Sequence, residues 1–133
     1  MRIDSRQYGG HCICGKEHRM STRTCIIDSG VLHHLDEILN EEGIHGKRCA
    51  VYGSNTWNNP LFPHPRAEQE IVLPSEGLHA DEHSTAEVLR QLAEDTEVLL
   101  ACGSGSIHDT VRYCAAQRGI PFVALPTAAS VDG

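Results

Sequence analysis

The sequence predicts an α/β fold in which helices flank a parallel sheet. From Cys25 onward, short apolar runs alternate with amphipathic stretches, which is typical of strands and helices that follow one another along such a sheet. The most apolar run, Glu97 to Cys102, predicts a central strand that is buried on both faces. With 133 residues, the chain is long enough for one domain with a buried core. We therefore expect a Rossmann-like sheet preceded by a short Cys/His-containing segment.

In the first half of the chain, two strands and one helix are expected. Thr24 to Asp28 predicts a first strand of the parallel sheet, and Val31 to Glu42 predicts a helix with an apolar face. Gly43 ends this helix, since glycine commonly follows a helix C-terminus. Arg48 to Tyr52 predicts the second strand. The segment 53–65 then predicts a turn and a proline-rich loop with at most one helical turn.

The second half predicts three further strands and two helices. The strands are short apolar runs at 70–73, 97–102 and 122–125. Ser84 is expected to cap a helix because Glu87 follows at the spacing of a capping box. A further helix is expected from Ser106 to Gln117, ending at Gly119.

Composition excludes several classes of partner. The chain has 11 Lys and Arg against 18 Asp and Glu, a formal net charge of -7, and its basic residues are scattered, so we expect no nucleic-acid partner. No run approaches the roughly 20 apolar residues of a membrane helix. The N-terminus lacks the apolar stretch of a signal peptide. We therefore expect a cytoplasmic protein without a membrane partner. Three of the six cysteines lie in apolar runs, so buried free thiols are expected rather than disulfides.

A small-residue turn follows the predicted central strand. Gly103 and Gly105 carry no side chain that would block a phosphate, while Ser104 and Ser106 offer hydroxyl donors. A turn that opens a helix also points backbone N–H groups at an anion. His108 stands where the ordinary dinucleotide fingerprint has its third glycine, so that fingerprint is not met. The alternative is a tight strand-to-helix turn without a ligand.

Two carboxylates lie near the ends of predicted strands. Asp109 is expected in the first turn of its helix, either as a simple cap or as an acceptor of hydrogen bonds that fix the turn. Asp132 lies in the loop 126–133 after the last predicted strand, at the edge where open α/β sheets bind ligands. Its carboxylate suits the hydroxyl donors of a polyol, although an Asp-Gly pair is also an ordinary turn.

Three motifs in order carry a family resemblance. Gly103-Ser-Gly-Ser-x-x-Asp109, Gly119-Ile-Pro-Phe122 and Pro126-Thr-Ala-Ala-Ser-x-Asp-Gly133 resemble the iron-containing alcohol dehydrogenase and dehydroquinate synthase superfamily. Within it, the chain most resembles the sn-glycerol-1-phosphate dehydrogenases. The resemblance extends weakly to 51–56 and 78–82 and covers about residues 24–133.

The resemblance implies a site for NAD or NADP and a contact to a substrate. The residues that it assigns to the cofactor are Gly103, Ser104, Gly105, Ser106, Ile107, Asp109, Thr127, Ala128, Ala129 and Ser130. It assigns the substrate contact to Asp132. Gly53 stands where family members often have an Asp for the adenosine ribose, which removes one reason to prefer NAD over NADP.

The family's divalent metal, Zn, Ni or Fe, is bound by one Asp and two His of a C-terminal helical domain, to which nothing in this chain corresponds. We therefore expect 24–133 to be the nucleotide-binding domain of a metal-dependent oxidoreductase acting on glycerol 1-phosphate, dihydroxyacetone phosphate or a related polyol. It would be inactive in isolation and homo-oligomeric at full length. The alternatives are a non-catalytic binding or assembly module and a dehydroquinate synthase-like lyase.

The segment 1–23 has the local density of metal ligands of a zinc knuckle. Cys12 and Cys14 have a narrower spacing than structural zinc sites usually show, but a turn at Gly15 would bring both toward His18, with His11 or Cys25 as a fourth ligand. The alternative is a reduced hairpin. The pair His79 and His83 around Asp81-Glu82 is expected to be a helix-entry loop rather than a metal site.

Overall fold

The computed structural model describes residues 1–128 and divides into two compact units. The first unit comprises 1–35, and the second begins at Asp36. Within the described residues, no helix combines the length and apolar character needed to cross a membrane.

The N-terminal unit contains two small antiparallel sheets. Its strands are β1 (Arg2–Asp4), β2 (Gly10–His11), β3 (Glu17–His18) and β4 (Thr24–Ile26). β1 pairs with β4, with Ile3 opposite Cys25, and β2 pairs with β3. A 3-10 helix, Ser5–Tyr8, follows β1, and the hydroxyl of Ser5 donates a 2.9 Å hydrogen bond to the carbonyl oxygen of Arg23, the residue before β4.

The prediction that 24–28 begins the parallel sheet is wrong. The strand forms over Thr24–Ile26, but its backbone pairs with β1 in a two-stranded ribbon. Cys25 is exposed there, whereas a strand of a covered parallel sheet is buried on both faces. The apolar pattern is compatible with either partner, so only the pairing decides the sheet.

The second unit has the predicted α/β, Rossmann-like class. Its elements are α1 (Leu35–Glu41), β5 (Arg48–Gly53), α2 (Ser54–Trp57), β6 (Gln69–Leu73), α3 (Glu82–Gln91), β7 (Val98–Gly103), α4 (Gly105–Arg118) and β8 (Phe122–Pro126). β6, β5, β7 and β8 form a four-stranded parallel sheet in that order. All residues of the two central strands, β5 and β7, are buried, as expected for the most apolar run.

Two helix starts differ from the prediction. The helix expected at 31–42 is divided, because Gly30 adopts a left-handed φ of 72° and opens a 3-10 turn, Val31–His34, before α1 begins. α3 begins at Glu82, since Asp81 and not Ser84 is its cap. The Asp81 carboxylate accepts 3.0 Å hydrogen bonds from the N–H groups of His83 and Ser84. Ser84 Oγ accepts one of 3.1 Å from the N–H of Asp81, which completes a capping box one turn earlier in the helix than expected.

The core lies between the sheet and the helices α3 and α4. It is formed by Val88 of α3 and Leu92 just after it, by Ile107, Val111 and Cys114 of α4, and by inward-facing residues of β5, β6 and β7. Three cysteines are buried free thiols, as predicted. Burial raises the pKa of Cys49 and of Cys102 to about 12 and that of Cys114 to about 11. These thiols therefore stay protonated and act as small apolar core residues.

An aromatic cluster orders the start of the proline-rich loop. Tyr52, at the end of β5, meets Trp57 edge to face with ring centroids 4.9 Å apart. His64 lies 4.5 Å from Trp57 between ring centroids, and its Nε2 lies 3.1 Å from the Trp57 carbonyl oxygen. The single tryptophan of the chain is thus held beside the C-terminal end of β5.

Candidate functional site at the carboxyl edge of the sheet

The two central strands both end in glycine at the same edge of the sheet. Tyr52 lies opposite Cys102, so the next residues, Gly53 and Gly103, are the last of their neighbouring strands. Because the strands are parallel, the turns that follow them lie along one edge, where open α/β sheets bind ligands.

Position 103 requires glycine for two reasons: its backbone conformation and the lack of room for a side chain. Its φ is +157°, outside the region that L side chains readily adopt, and a Cβ placed there would lie 3.1 Å from Ile107 Cγ1 and 3.5 Å from Thr56 Oγ1. Gly105 differs, since a Cβ placed there has no atom of residues 1–128 within 4 Å apart from its chain neighbours and the backbone of its own helix. The first glycine is needed to build the turn, and the second keeps an open space in front of it.

The N-terminus of α4 faces that open space. Ser104 is the N-cap, but its hydroxyl makes no capping hydrogen bond within the described residues. The first helical hydrogen bond runs from the N–H of His108 to the Ser104 carbonyl oxygen at 3.1 Å. The N–H groups of Gly105, Ser106 and Ile107 therefore have no acceptor inside the helix. None of these residues carries a carboxylate, so the positive end of the helix is available to an anion.

The prediction that Asp109 lies in the first turn of its helix is wrong. The helix starts at Gly105, one residue earlier than expected, so Asp109 falls in the second turn, where its side chain is exposed. It lines a shallow groove between α3 and α4 together with Glu82 and Arg112. The turn is held by other groups, among them Thr110, whose hydroxyl donates a 2.7 Å hydrogen bond to the Ser106 carbonyl oxygen.

The loop after β8 is joined to the turn after β7. Thr127 N–H donates a 3.0 Å hydrogen bond to the carbonyl oxygen of Gly103, and both Thr127 and Ala128 are exposed at this edge. Two predicted segments of the site are therefore brought together by a backbone contact. The other predicted residues of this loop, Ala129, Ser130 and Asp132, lie outside the described residues.

His108 is a residue of this region whose position sequence reasoning missed. Its side chain is fully buried, and neither ring nitrogen has a hydrogen-bond partner among residues 1–128. Burial lowers the pKa of His108, against the opposing effects of the backbone at Leu125 and Gly103 and of the Asp109 carboxylate. A neutral imidazole thus fills the place that a third glycine occupies in the ordinary fingerprint. The only signal in the sequence was that substitution.

Ser75 is a second residue that sequence reasoning missed. Ser54 Oγ accepts a 2.9 Å hydrogen bond from the N–H of Ser75, and Ser75 Oγ accepts one of 2.9 Å from the N–H of Asn55. A Cβ at Gly53 would lie 3.0 Å from Ser75 Oγ, so an Asp at that position would require this hydroxyl to move. The position of Ser75 directly after a strand that ends in Leu73-Pro74 is the signal that would have found it.

The predicted zinc ligands of the N-terminal unit lie together. Cys14 Sγ lies 3.2 Å from His18 Nε2, and the ligand atoms of Cys12, Cys14 and His18 all lie within 4.8 Å of one another. The N–H of Cys14 donates a 3.5 Å hydrogen bond to Cys12 Sγ, and this contact is the main cause that lowers the pKa of the Cys12 thiol. His11 and Cys25, the predicted fourth ligands, are not part of this cluster.

The second unit was also searched for side chains that could hold the divalent metal of the resembled family, over the part of the chain that the structure describes. In the part of the chain that the structure describes, the N-terminal cluster is the one group of three or more side chains able to hold a metal ion. The described residues of the second unit at the sheet edge therefore do not supply a metal site by themselves. Asp81 and Glu82 lie at the start of α3, where Asp81 caps the helix.

Comparison with protein families matches residues 26–133 to the family described as iron-containing alcohol dehydrogenase. A glycerol-1-phosphate dehydrogenase (NAD(P)+) of Bacillus licheniformis is 33% identical over 135 residues, which is 93% of this chain and 33% of that protein. Its namesake from Bacillus velezensis is 54% identical over 67 residues, which cover 48% of this chain and 17% of that protein. The chain thus spans about a third of the length of the first relative. These matches confirm the resemblance inferred from the motifs.

Among solved structures, the glycerol dehydrogenase of Schizosaccharomyces pombe superposes with a TM-score of 0.56 and 21% sequence identity. The match covers 76% of this chain and 27% of the other. At this identity, the likeness shows the fold.

Proposed function

The chain belongs to the iron-containing alcohol dehydrogenase family, and we propose that residues 24–133 form the nucleotide-binding part of an NAD(P)-dependent oxidoreductase. The observation that carries the proposal is the open N-terminus of α4. The N–H groups of Gly105, Ser106 and Ile107 have no acceptor inside the helix, no side chain of residues 1–128 occupies the space at Gly105, and the first turn of α4 contains no carboxylate. Such a terminus suits the pyrophosphate of a dinucleotide.

In this proposal the pyrophosphate accepts hydrogen bonds from the free N–H groups of α4, and the hydroxyls of Ser104 and Ser106 add donors. The Gly103 carbonyl is already engaged by Thr127, so the turn keeps its shape whether or not the nucleotide is bound. The Thr127 side chain is exposed beside it and supplies a further contact, followed along the chain by Ala128, Ala129 and Ser130. The bound cofactor supplies the nicotinamide ring that accepts or donates a hydride.

We propose that both NAD and NADP bind. A carboxylate at position 53 would select the ribose diol of NAD and repel the additional phosphate of NADP. Gly53 has no such group, and its neighbour on this side is the neutral hydroxyl of Ser75, which would lie 3.0 Å from a Cβ at position 53. Nothing charged at this position therefore separates the two cofactors.

The proposed substrate is glycerol 1-phosphate, dihydroxyacetone phosphate or a related polyol, which follows the name of the relatives with which the chain aligns. Asp132 is the proposed contact to a substrate hydroxyl. Because the described part of the second unit contains no cluster of three metal ligands, we propose that this chain binds the nucleotide without turning over substrate. Mixing it with NADPH, dihydroxyacetone phosphate and zinc or iron should leave NADPH absorbance constant.

Nucleotide binding is tested by titrating the chain with NADPH and NADH. Trp57 is the single tryptophan and lies near the sheet edge, so energy transfer from it to the reduced nicotinamide reports binding. Gly105→Ala adds a methyl group to this space, where no other segment within residues 1–128 comes within 4 Å of it. It should weaken binding by about tenfold or more, equivalent to about 1.4 kcal/mol.

The matched control is Gln117→Ala, an exposed change near the other end of α4, which should keep the affinity of the wild type. Thermal unfolding of both variants shows whether the fold is intact. The proposal is wrong if the wild type gives neither energy transfer nor thermal stabilisation with either nucleotide. Equal affinity of Gly105→Ala and the wild type would contradict the placement of the pyrophosphate on this turn.

A further inference from the structure

The hairpin formed by β2 and β3 brings three soft metal ligands together on one short stretch of chain. We propose that Cys12, Cys14 and His18 bind one zinc ion, with the fourth coordination position open to water. This site lies in the N-terminal unit and shares no residue with the proposed nucleotide site or with the family's catalytic metal site.

The hairpin turn creates the cluster. Cys12 N–H donates a 2.9 Å hydrogen bond to the Lys16 carbonyl oxygen, and Gly15 N–H donates one of 2.9 Å back to the Cys12 carbonyl oxygen. Gly15 has a φ of +82°, which allows the chain to reverse direction between the two cysteines and the histidine. In an extended strand the two thiols of a Cys-x-Cys pair would point to opposite faces. The turn instead places both beside His18.

The distances fit a metal ion after a small closing movement. Zinc bonds of about 2.3 Å to sulfur and about 2.0 Å to nitrogen place tetrahedral ligand atoms about 3.3 to 3.8 Å apart. Cys14 Sγ and His18 Nε2 are already 3.2 Å apart, and all three ligand atoms lie within 4.8 Å of one another. A shift of about one ångström in an exposed side chain therefore completes the arrangement.

The donor set selects the metal. Two thiolates and one imidazole suit zinc, whereas calcium and magnesium require oxygen ligands. No fourth side chain joins the cluster among residues 1–128, and Cys14 and His18 are exposed, so water can reach the ion.

The N-terminal unit also has a structural need for such an ion. Within 1–35, Ser5 and Leu35 are the buried residues, so this unit has little apolar core of its own. Small units without a core are commonly held together by disulfides or a metal, and the cysteines here are free thiols. Zinc bound at the hairpin would supply folding free energy where apolar burial does not.

The test uses the whole 133-residue chain, purified with a reductant and dialysed against buffer without chelator. Metal analysis should find about one zinc per chain, as a single site requires. Replacement of zinc by cobalt should give the sulfur-to-metal charge-transfer band and the visible d–d bands of a tetrahedral thiolate site. Cys12→Ser, Cys14→Ser and His18→Asn should each lose the bound zinc and these bands.

Two control variants remove the same functional groups elsewhere in the unit. Cys25→Ser removes an exposed thiol on β4, and His33→Asn removes an exposed imidazole of the 3-10 turn. Both should keep zinc and the cobalt spectrum. Trypsin provides a second measurement, since zinc should slow cleavage after Lys16 in the hairpin, and EDTA should restore it.

The proposal is overturned if the wild type carries no zinc after dialysis and gives no charge-transfer band with cobalt. It is equally overturned if the cluster variants and the control variants retain or lose zinc alike. Isolation of Cys12 and Cys14 as a disulfide under reducing conditions would also contradict a metal site.

Discussion

The N–H of Thr127 donates a 3.0 Å hydrogen bond to the carbonyl oxygen of Gly103. It joins the loop after the edge strand β8 to the end of the central strand β7, one pairing beyond Gly103 and Pro126. Both partners belong to segments that carry the family's motifs. The contact is made by backbone atoms, so it does not depend on the Thr127 side chain.

Two substitutions at Thr127 distinguish the backbone N–H, which bonds Gly103, from the side-chain hydroxyl, which is proposed to contact the nucleotide. Thr127→Pro removes the N–H donor and should lower the free energy of unfolding by about 0.5 to 1.5 kcal/mol, the usual net contribution of a hydrogen bond. Thr127→Ala keeps the N–H and should keep the stability of the wild type, while its loss of the hydroxyl weakens NADPH binding. Urea unfolding and the nucleotide titration measure the two effects. Equal stability of the two variants would show that the hydrogen bond does not stabilise the fold.

The two glycines of the turn should respond differently to alanine. Gly103→Ala should lower the free energy of unfolding by about 1 to 3 kcal/mol, because φ is +157° and the new Cβ would lie 3.1 Å from Ile107. Gly105→Ala should be neutral or stabilise by up to about 1 kcal/mol, since alanine favours a helix. Urea unfolding followed by circular dichroism compares them. A similar loss of stability in both variants would contradict the open space in front of Gly105.

The buried imidazole of His108 should make the free energy of unfolding decrease as the pH falls. Since burial lowers the pKa of His108, the unfolded chain binds a proton more readily than the folded chain does. The stability from the neutral ring is therefore present above the ordinary histidine pKa of about 6.5 and is lost as pH falls below it. His108→Leu should flatten the dependence of the melting temperature on pH below this value.

This prediction has a control in His45→Asn, which changes an exposed histidine and should keep the wild-type pH dependence. At pH values where the imidazole is neutral, His108→Leu should be at least as stable as the wild type, because it removes two buried nitrogens that lack partners among the described residues. An unchanged acid dependence in His108→Leu would show that other groups control it.

The protein should lose stability when the ion-pair partner of Arg48 is removed. Its side chain is 7% exposed and forms an ion pair with Asp36, while its NH1 also donates a 3.3 Å hydrogen bond to the Arg66 carbonyl oxygen. Asp36→Ala should lower the free energy of unfolding by about 1.5 to 3 kcal/mol, because the buried guanidinium loses a charged acceptor. Asp95→Ala removes the acceptor of the exposed Lys47 and should cost at most about 1 kcal/mol. Urea unfolding distinguishes them, and equal losses would contradict the prediction.

Local sequence patterns predicted α3 and α4 but not the residues at which these helices begin. The position of α3 follows from its apolar stripe, but Ser84 and Asp81 both carry side chains that can cap a helix, and the choice depended on which one met free N–H groups. α4 begins one residue earlier than predicted, which moves Asp109 out of the first turn. The unpaired N–H groups of a helix lie in its first turn, so a start one residue earlier places Asp109 beyond the groups with which a first-turn carboxylate interacts, although the helix itself is correctly predicted.

The sequence by itself determined the α/β class, the central position of β7, the small-residue turn that opens α4 and the family, because apolar periodicity, turn chemistry and motifs are local properties of the chain. Only the tertiary structure decided that Thr24–Ile26 pairs with β1, that His108 is buried without a partner among residues 1–128, and that the N–H of Ser75 donates a hydrogen bond to Ser54 Oγ. It also distinguished Gly103, which the packing requires, from Gly105, which it does not. Strand pairing and burial depend on which distant segments meet, and that information is not contained in any single stretch of sequence.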